Sequence, residues 1–211
     1  FFHKIKDKMG LDSALLRQLI WRDFYLHLMY CFPRVLNGKS LKPKYDNIVW
    51  ENNTRLFNAW KRGKTGYPII DANMRMLNET GYMHNRGRLI VSSFLVKLCL
   101  VDWRKGEKYF ATKLIDYDPA SNNGNWQWIA GSGADSQPYF RIFNPWAQSE
   151  RHDTDAIFIK TWCPELTDVP AKHLHEWDKH YHEYKNNDYP SPVIDYKLQR
   201  EKALALYKQY L

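Results

Sequence analysis

The most apolar stretch of the chain runs from Leu89 to Val101, and Lys97 is the only charged residue in it. The stretch is longer than a typical strand and shorter than the roughly eighteen apolar residues that a membrane-spanning helix needs. It therefore predicts a buried helix within residues 85–101. With 44% apolar residues the chain can bury a sizeable core around such a helix, which argues against disorder.

Helix start and stop signals recur along the rest of the sequence. Asp12 and Ser13 are suited to cap a helix that runs to about Tyr30. Pro68 is suited to begin a helix that Gly81 ends, because proline tolerates the first helical position and glycine the residue beyond the last.

The remaining segments are assigned in the same way. From Asp116 to Pro138, glycine and asparagine interrupt the helical pattern, so this tryptophan-containing run is predicted to be a structured functional loop. No linker divides the chain, and the sequence predicts one all-α unit. Further helices are expected at 53–61 within a largely irregular connection over 31–66, at 107–115, at 155–163 and over the last fifteen residues.

Composition limits the classes of partner. Lysine and arginine number 31 against 23 acidic residues, and the net charge of +8 suits nucleic acid or an anionic membrane surface, although an ordinary basic domain fits it too. Aromatic residues make up 16% of the chain, and most are expected in the core. The surplus also suits base stacking, flavin binding or electron transfer.

The three cysteines, Cys31, Cys99 and Cys163, are widely spaced and include no Cys-x-x-Cys pair. This spacing argues against zinc ribbons, iron–sulfur clusters and a disulfide framework, and predicts buried free thiols in a reducing compartment. The first residues have no signal-peptide core, and no apolar run is long enough for a membrane span. We therefore expect an intracellular protein that makes no membrane contact.

The first candidate site lies on the first long predicted helix. A face with a stacking ring, a cation and polar groups could receive a base and its phosphate. The alternative is a helix in which Trp21 belongs to the core and Arg22 pairs with Asp23 or Asp71. The residues that share this face at helical spacing are Gln18, Trp21, Arg22 and Tyr25.

Two further regions are candidate binding sites. In His84–Arg88, Asn85 is predicted to cap a helix, and the clustered arginines suit an anion or are simply solvated. In Asp116–Trp128, two carboxylates and a Trp-x-Trp pair suit a ligand pocket. A calcium loop is rejected for this second region because no further carboxylate follows at the required spacing.

Four histidines form two His-x-His pairs, and in an extended segment each pair would face one side and could bind zinc or nickel. A solvated surface is the favoured interpretation, and no metal site is predicted. No Ser-His-Asp arrangement, Walker loop or Gly-x-Gly-x-x-Gly occurs, so ordinary hydrolase and nucleotide-dependent chemistry find no support. The histidines of the two His-x-His pairs are His173, His175, His180 and His182.

Taken together, these regions resemble the DNA photolyase/cryptochrome family. The match runs in order over nearly the whole chain, through Leu19–Tyr25, Gly63–Arg88, Asp116–Trp128 and Pro138–Pro145. The resemblance implies an all-α fold, the C-terminal part of the family's FAD-binding helical domain. It also implies that reduced, anionic FAD donates an electron, on light excitation, to a pyrimidine dimer in damaged DNA.

The resemblance assigns roles to individual residues. Asn122 matches the side chain that faces flavin N5, and Arg88 matches the partner of the first flavin-loop acid. The other cofactor-binding positions are Asp116, Tyr117 and Asp118. The positions that match the tryptophan chain for photoreduction are Trp126 next to the flavin, Trp103, and Trp50 nearest solvent. The positions that match lesion or DNA contacts are Gln18, Trp21, Arg22, Tyr25, Asn85, Arg86, Trp128 and Gln148.

Within the family the sequence is most similar to class I enzymes that repair cyclobutane pyrimidine dimers. Asn122 is the photolyase residue at its position, His84-Asn85-Arg86 lacks the paired histidines of six-four photolyases, and Trp128 differs from the Tyr of single-strand-preferring cryptochromes. Gln18 departs from this pattern, since dimer photolyases usually carry Glu there and six-four photolyases often carry Gln.

The resemblance also implies that parts of the family's architecture lie outside this sequence. The N-terminal α/β domain with its antenna chromophore and the segment that holds the FAD phosphates have no counterpart here, so a preceding segment or a partner chain is expected to supply them. Two other functions stay open: a cryptochrome-like photoreceptor that photoreduces flavin without repair, and a flavin-free DNA-binding remnant.

Overall fold

The computed structural model describes residues 2–10, 12–134, 138–185 and 187–210, and within these ranges it contains helices and no strand. The all-α prediction is confirmed. The α-helices are α1 (Phe2–Met9), α2 (Ala14–Cys31), α3 (Thr54–Arg62), α4 (Pro68–Thr80), α5 (Asn85–Ser93), α6 (Trp103–Lys113), α7 (Pro119–Ala130), α8 (Pro145–His152), α9 (Ile157–Trp162), α10 (Ala171–His175), α11 (Trp177–His180) and α12 (Tyr196–Lys208).

The core is built around α4. This helix begins at Pro68 and ends where Gly81 adopts a left-handed conformation, with φ of 69°, as predicted. Its buried side chains include Ile70, Met74 and Leu77, which follow one another at helical spacing. α4 packs against α3, α5, α8 and α9, so it joins the two halves of the sequence.

The apolar stretch that predicts a buried helix is indeed buried. It begins as α5, widens into one π-helical turn over Phe94–Leu98, and stops at Leu100, whose φ is 50°. The cap of α5 was predicted wrongly: His84 occupies that position, and its ring Nδ1 accepts a hydrogen bond from the Arg86 backbone N–H at 3.1 Å. A ring nitrogen thus replaces the expected Asn85 side chain.

The predicted loop from Asp116 to Pro138 is wrong over most of its length, because Pro119–Ala130 forms α7. Asp118 caps this helix by accepting a hydrogen bond from the Ser121 N–H at 2.7 Å. Gly124 lies inside the helix because α2 packs there: a Cβ at this position would approach Tyr25 Cδ1 to 2.1 Å. Glycine is required here by the close approach of the two helices, and it does not mark a turn.

α2 begins after Ser13, as predicted, but buries only Leu16. The alternative in which Trp21 belongs to the core is wrong, since 49% of Trp21 is exposed. Arg22 lies 3.7 Å from Asp23, and both side chains are exposed, so this pair contributes little to stability. Asp71, the other partner considered, is fully buried and is held by Thr65 instead.

The remaining predicted helices are confirmed with shifted ends. α3 is shifted by one residue from the segment predicted at 53–61. α6 begins four residues before 107, because Asp102 caps it. α9 lies within the range predicted at 155–163, and α12 begins one residue before the last fifteen residues. The short helices α1, α8, α10 and α11 were not predicted. No helix of the described residues is long and apolar enough to cross a membrane.

Two predictions about cysteine and histidine are corrected. Cys99 and Cys163 are buried free thiols, but Cys31 is exposed at the end of α2. The histidine pairs do not lie in an extended segment, because residues 171–184 form α10, α11 and a 3₁₀ turn. His175 is buried, so it is not part of a solvated surface.

Candidate functional site

A cleft of about 380 Å³ opens between the ends of α2 and α5 and the faces of α6 and α7. Its lining combines apolar with polar side chains, which is the usual construction of a site for an organic ligand. The residues that line it are Gln18, Tyr82, Met83, Asn85, Arg88, Leu89, Ser92, Phe110, Leu114, Asp116, Tyr117, Asp118, Ser121, Asn122, Asn125, Trp126 and Ile129.

Many of the residues singled out from the sequence meet in this cleft. The cofactor-binding set lines it as a whole, and two predicted DNA contacts, Gln18 on α2 and Asn85 on α5, lie at its edge. The predicted residues in the lining are Gln18, Asn85, Arg88, Asp116, Tyr117, Asp118, Asn122 and Trp126.

The ion pair of Arg88 and Asp116 closes one side of the cleft. Arg88 Nη2 lies 3.0 and 2.8 Å from the two carboxylate oxygens of Asp116, and its Nε donates to the Met83 carbonyl at 2.7 Å. The Tyr82 ring lies 5.9 Å from the guanidinium carbon. These contacts fix the arginine, so the alternative of a freely solvated side chain does not hold for Arg88.

Asn122 is oriented by a neighbouring helix. Its amide Nδ2 donates to the backbone carbonyl of Glu107 at 3.1 Å and to the Glu107 carboxylate at 3.2 Å. Burial raises the pKa of Glu107, and the bond from Asn122 acts in the opposite direction. Because Nδ2 is engaged on α6, the amide group of Asn122 has a defined direction within the cleft.

Trp126 forms part of the apolar wall, and it is 3% exposed. Its ring packs edge-on to Phe110 at 5.1 Å and to Trp60 at 6.3 Å, measured between ring centroids. Gly106 permits this packing, since a Cβ there would approach Trp126 to 2.2 Å.

The other two tryptophans of the predicted chain lie behind the cleft wall. Trp103 is 1% exposed at the start of α6, and Trp50 is 8% exposed, the largest fraction of the three. Neither lines the cleft. Their predicted order, from Trp126 inside to Trp50 outside, stays a prediction.

The predicted stacking face continues from the cleft along α2. The rings of Trp21 and Tyr25 stack at 6.0 Å with an interplanar angle of 29°, and Phe24 meets Trp21 edge-on at 5.5 Å. Trp21 and Phe24 are exposed, whereas Tyr25 is half-buried against α7. Trp128 on α7 is half-buried and packs on the core.

Positive charge collects beside the start of α5. Burial lowers the pKa of His152, and the nearby charges of Arg86 and Arg151 lower it further, so these groups on α5 and α8 lie close together. Gln148 lies one turn before His152 on α8. Its Oε1 is buried and has no hydrogen-bond partner among the described residues. This corner of the molecule is suited to contact phosphates.

Several cleft residues were not predicted from the sequence. Leu89 and Ser92 continue the face of Arg88 on α5, and Asn125 and Ile129 continue the face of Asn122 on α7. Helical spacing from Asn122 would have found Asn125 and Ile129, had 116–138 not been assigned to a loop. Leu89 and Ser92 lie in the segment that was predicted to be a buried helix, where the sequence indicated only a core role. Phe110 and Leu114 gave no signal beyond those of ordinary core residues.

Known proteins resemble this chain over nearly its whole length. The family model described as the FAD binding domain of DNA photolyase matches residues 15–209. The deoxyribodipyrimidine photo-lyase of Escherichia coli strain K12 is 49% identical over 200 residues, and that of Buchnera aphidicola from Acyrthosiphon pisum is 52% identical over 204 residues. Each alignment covers 94% of this chain.

Solved structures agree with the sequence matches. An archaeal photolyase from Sulfolobus tokodaii, solved with two FAD molecules, superposes with a TM-score of 0.90 at 49% identity, covering 99% of this chain and 47% of that one. A Synechocystis cryptochrome gives 0.85 at 34% identity, covering 97% and 44%. The chain spans about two fifths of the length of the two photo-lyases above, 42% and 41%. It belongs to the family of FAD-binding domains of DNA photolyase.

Proposed function

We propose that this chain is the part of a light-driven deoxyribodipyrimidine photolyase that holds the flavin ring and the damaged bases, and that its substrate is the cyclobutane pyrimidine dimer. One observation carries the proposal. Gln18, on the helix predicted to bind the lesion, lines the same cleft as Asn122, which is predicted to bind the flavin, and Trp126, which is predicted to lie next to it in the tryptophan chain. Cofactor and lesion would thus share one cavity.

The cleft fits a flavin in the chemistry of its lining. A flat, largely apolar ring with polar edges suits a lining that combines Phe110, Trp126 and Ile129 with amide and carboxylate groups. Asn122 would orient the ring edge, and the Arg88–Asp116 pair would hold the rim. When bound, reduced FAD supplies the electron that light drives into the dimer.

The lesion would be held by the residues around the cleft mouth. Trp21 and Trp128 would stack on the two bases, which have to leave the duplex, as is general for enzymes that act on bases within DNA. Arg22, Arg86 and Gln148 would contact the phosphates and fix the register of the strand. Gln18 can both donate and accept hydrogen bonds at the base edges.

We expect the rest of the cofactor site to come from outside this sequence. The photo-lyases compared above are more than twice as long as the part matched here. A preceding segment, or a partner chain, would contact the FAD phosphates and bind any second, light-harvesting chromophore. The protein would act on DNA inside the cell.

The test is a pair of measurements on the purified protein. Its visible absorption spectrum, with flavin quantified after heat release, is expected to show near-stoichiometric FAD for the complete protein, or for this chain supplied with its missing segment. Blue light is then expected to convert a dimer-containing oligonucleotide to undamaged bases. A complete protein that binds no flavin, or binds it and repairs no dimer, would overturn the proposal.

A cryptochrome-like photoreceptor is the second candidate, favoured by the similarity to the Synechocystis cryptochrome and by the three buried tryptophans. The same two measurements separate the candidates. Photoreduction of the flavin without repair supports the photoreceptor, whereas repair supports the photolyase. Replacing Trp128 with Ala is expected to weaken binding of damaged DNA by about 1–3 kcal/mol in the photolyase, through lost stacking.

A further inference from the structure

Far along the chain from the cleft residues, three side chains with metal-binding atoms come together. His173 on α10 and His180 at the end of α11 stack with parallel rings, 3.9 Å between centroids and 3° between planes. Glu183, in the 3₁₀ turn that follows, has one carboxylate oxygen 2.7 Å from His180 Nδ1 and the other 3.9 Å from His173 Nδ1. One ligand atom of each residue lies within 4.8 Å of the others.

The sequence did not predict this arrangement. It paired histidines two residues apart in an extended segment, whereas the helical turns bring together one histidine from each pair. His175 is excluded from the cluster, because it is 6% exposed and both of its ring nitrogens are engaged, with Ser149 Oγ at 2.8 Å and the Thr154 carbonyl at 2.9 Å. His182 is exposed and is not a member of the group.

The donor set selects the kind of ion. Two imidazole nitrogens and one carboxylate oxygen suit zinc and its first-row neighbours, whereas calcium and magnesium require oxygen ligands. Bonds of about 2.0–2.2 Å around zinc place ligand atoms roughly 3.3 Å apart. The ligand atoms of this cluster already lie within 4.8 Å of one another, so a small further approach brings them to that spacing.

The surrounding packing holds the cluster in place. Trp177 is 1% exposed and stacks on Tyr184 at 5.4 Å, so α11 and the following turn are anchored to the core. Tyr184 Oη also lies 2.6 Å from His173 Nδ1 and fixes the direction of that ring. The packing thus anchors the segment that carries the ligands, and metal binding requires the two rings to leave their present hydrogen bonds and turn out of their parallel stack.

We propose that His173, His180 and Glu183 bind a zinc ion, with water completing the coordination. The hydrogen bonds that Glu183 and Tyr184 now make to the imidazoles give way to bonds with the metal. The ion links α10 to α11 and the turn behind it. Because only the folded chain presents the three ligands together, zinc is expected to raise the melting temperature.

The experiment is a calorimetric titration of the 211-residue chain with zinc chloride alone, in a buffer that does not bind metals. One equivalent is expected to bind. His173→Ala and His180→Ala are each expected to weaken binding by about tenfold or more, since even groups that only orient a metal ligand contribute about 10–100-fold. His182→Ala, in the same segment, is the matched control and should bind as the unsubstituted chain does.

Cobalt provides an independent measurement, because a Co²⁺ ion with two imidazoles and a carboxylate in near-tetrahedral geometry has strong visible bands that hydrated Co²⁺ lacks. Circular dichroism of each variant without metal establishes that α10 and α11 remain folded. Equal loss of affinity in His182→Ala, or affinity unchanged in His173→Ala and His180→Ala, would overturn the proposal. Binding by an unfolded His173→Ala variant at full affinity would do the same.

Discussion

α2 and α4 carry similar helix signals in the sequence and have opposite surroundings in the structure. α4 buries nearly the whole of its first two turns, including Asp71 and Asn73. α2 buries only Leu16, although it is longer and more apolar. The large apolar side chains that α2 exposes are Leu15, Ile20, Trp21, Phe24, Leu26 and Tyr30.

The difference shows which part of the molecule is built for contact with something else. Six exposed large apolar side chains on one helix of 18 residues are more than the scattered single ones that are normal on a protein surface, and they point to contact with something else. On α2 it borders the cleft through Gln18 and carries the stacked rings of Trp21 and Tyr25. α4 is a buried element of the core, whereas under the proposed function α2 offers its surface to bases or to a segment outside this sequence.

The largest expected effect tests this comparison with two tryptophans. Trp60 is fully buried, stacks between Phe57 and Phe110, and donates its indole N–H to the Val91 carbonyl at 2.9 Å. Trp60→Ala should lower the free energy of unfolding by about 3–5 kcal/mol. Trp21→Ala, the matched change on α2, should alter it by less than about 0.5 kcal/mol.

Urea unfolding followed by circular dichroism measures both variants without relying on tryptophan fluorescence. Comparable losses of stability in the two variants would mean that α2 is part of the core in solution, and the assignment of its face to binding would fail.

The next effect concerns the one charge in the apolar stretch. Lys97 is 1% exposed, its Nζ has no hydrogen-bond partner among the described residues, and it lies 3.5 Å from the centroid of the Tyr207 ring. Burial lowers the pKa of Lys97 from 10.5 to about 7. Between these values the unfolded chain binds more protons than the folded chain, so stability should rise with pH.

Lys97→Met keeps the volume of the side chain and removes its charge. It is the control, because every other titrating group is the same in the two proteins. From about pH 7 to about pH 9 the unsubstituted chain should gain about 2 kcal/mol relative to Lys97→Met. The window ends there because above it tyrosine phenols begin to ionise in the unfolded chain, whereas burial keeps the pKa of Tyr207 well above its ordinary 10.0 in the folded chain. Parallel pH profiles for the two proteins would contradict a charge-related cost at this position.

Much of the fold followed from the sequence because its strongest signals are local. Pro68 and Gly81 bound α4 by steric rules that hold in any surroundings, and the apolar stretch had no alternative to burial. The cofactor set of the cleft was likewise predicted, through the resemblance to the family, and its members line one cavity.

The wrong predictions share a physical cause: the contacts or the conformation of each residue depend on a partner that is distant in the sequence. His173 and His180 were paired wrongly because helical turns, and not sequence neighbours, set their contact. The apolar side chains of α2 did not reveal whether anything covers them. α7 was missed because its glycine and asparagines suggest turns, and nothing local indicates that α2 lies against Gly124.

The smallest effect tests this last explanation. Gly124→Ala improves helix propensity by about 1 kcal/mol, which alone would stabilise α7. The added Cβ would, however, lie 2.1 Å from Cδ1 and 2.3 Å from Cε1 of Tyr25, and overpacking of this kind costs about 1–3 kcal/mol. The net loss is therefore expected to be about 1 kcal/mol.

A double-mutant cycle separates the two contributions. In a Tyr25→Ala background the obstructing ring is gone, so Gly124→Ala should become neutral or stabilising, with a coupling energy of about 1–2 kcal/mol. The contact between α2 and α7 also positions Trp21 relative to the cleft, so Gly124→Ala should reduce binding of damaged DNA in the complete protein. A Gly124→Ala variant that is stabilised with Tyr25 present would mean that the helices do not approach this closely, and that the glycine has another origin.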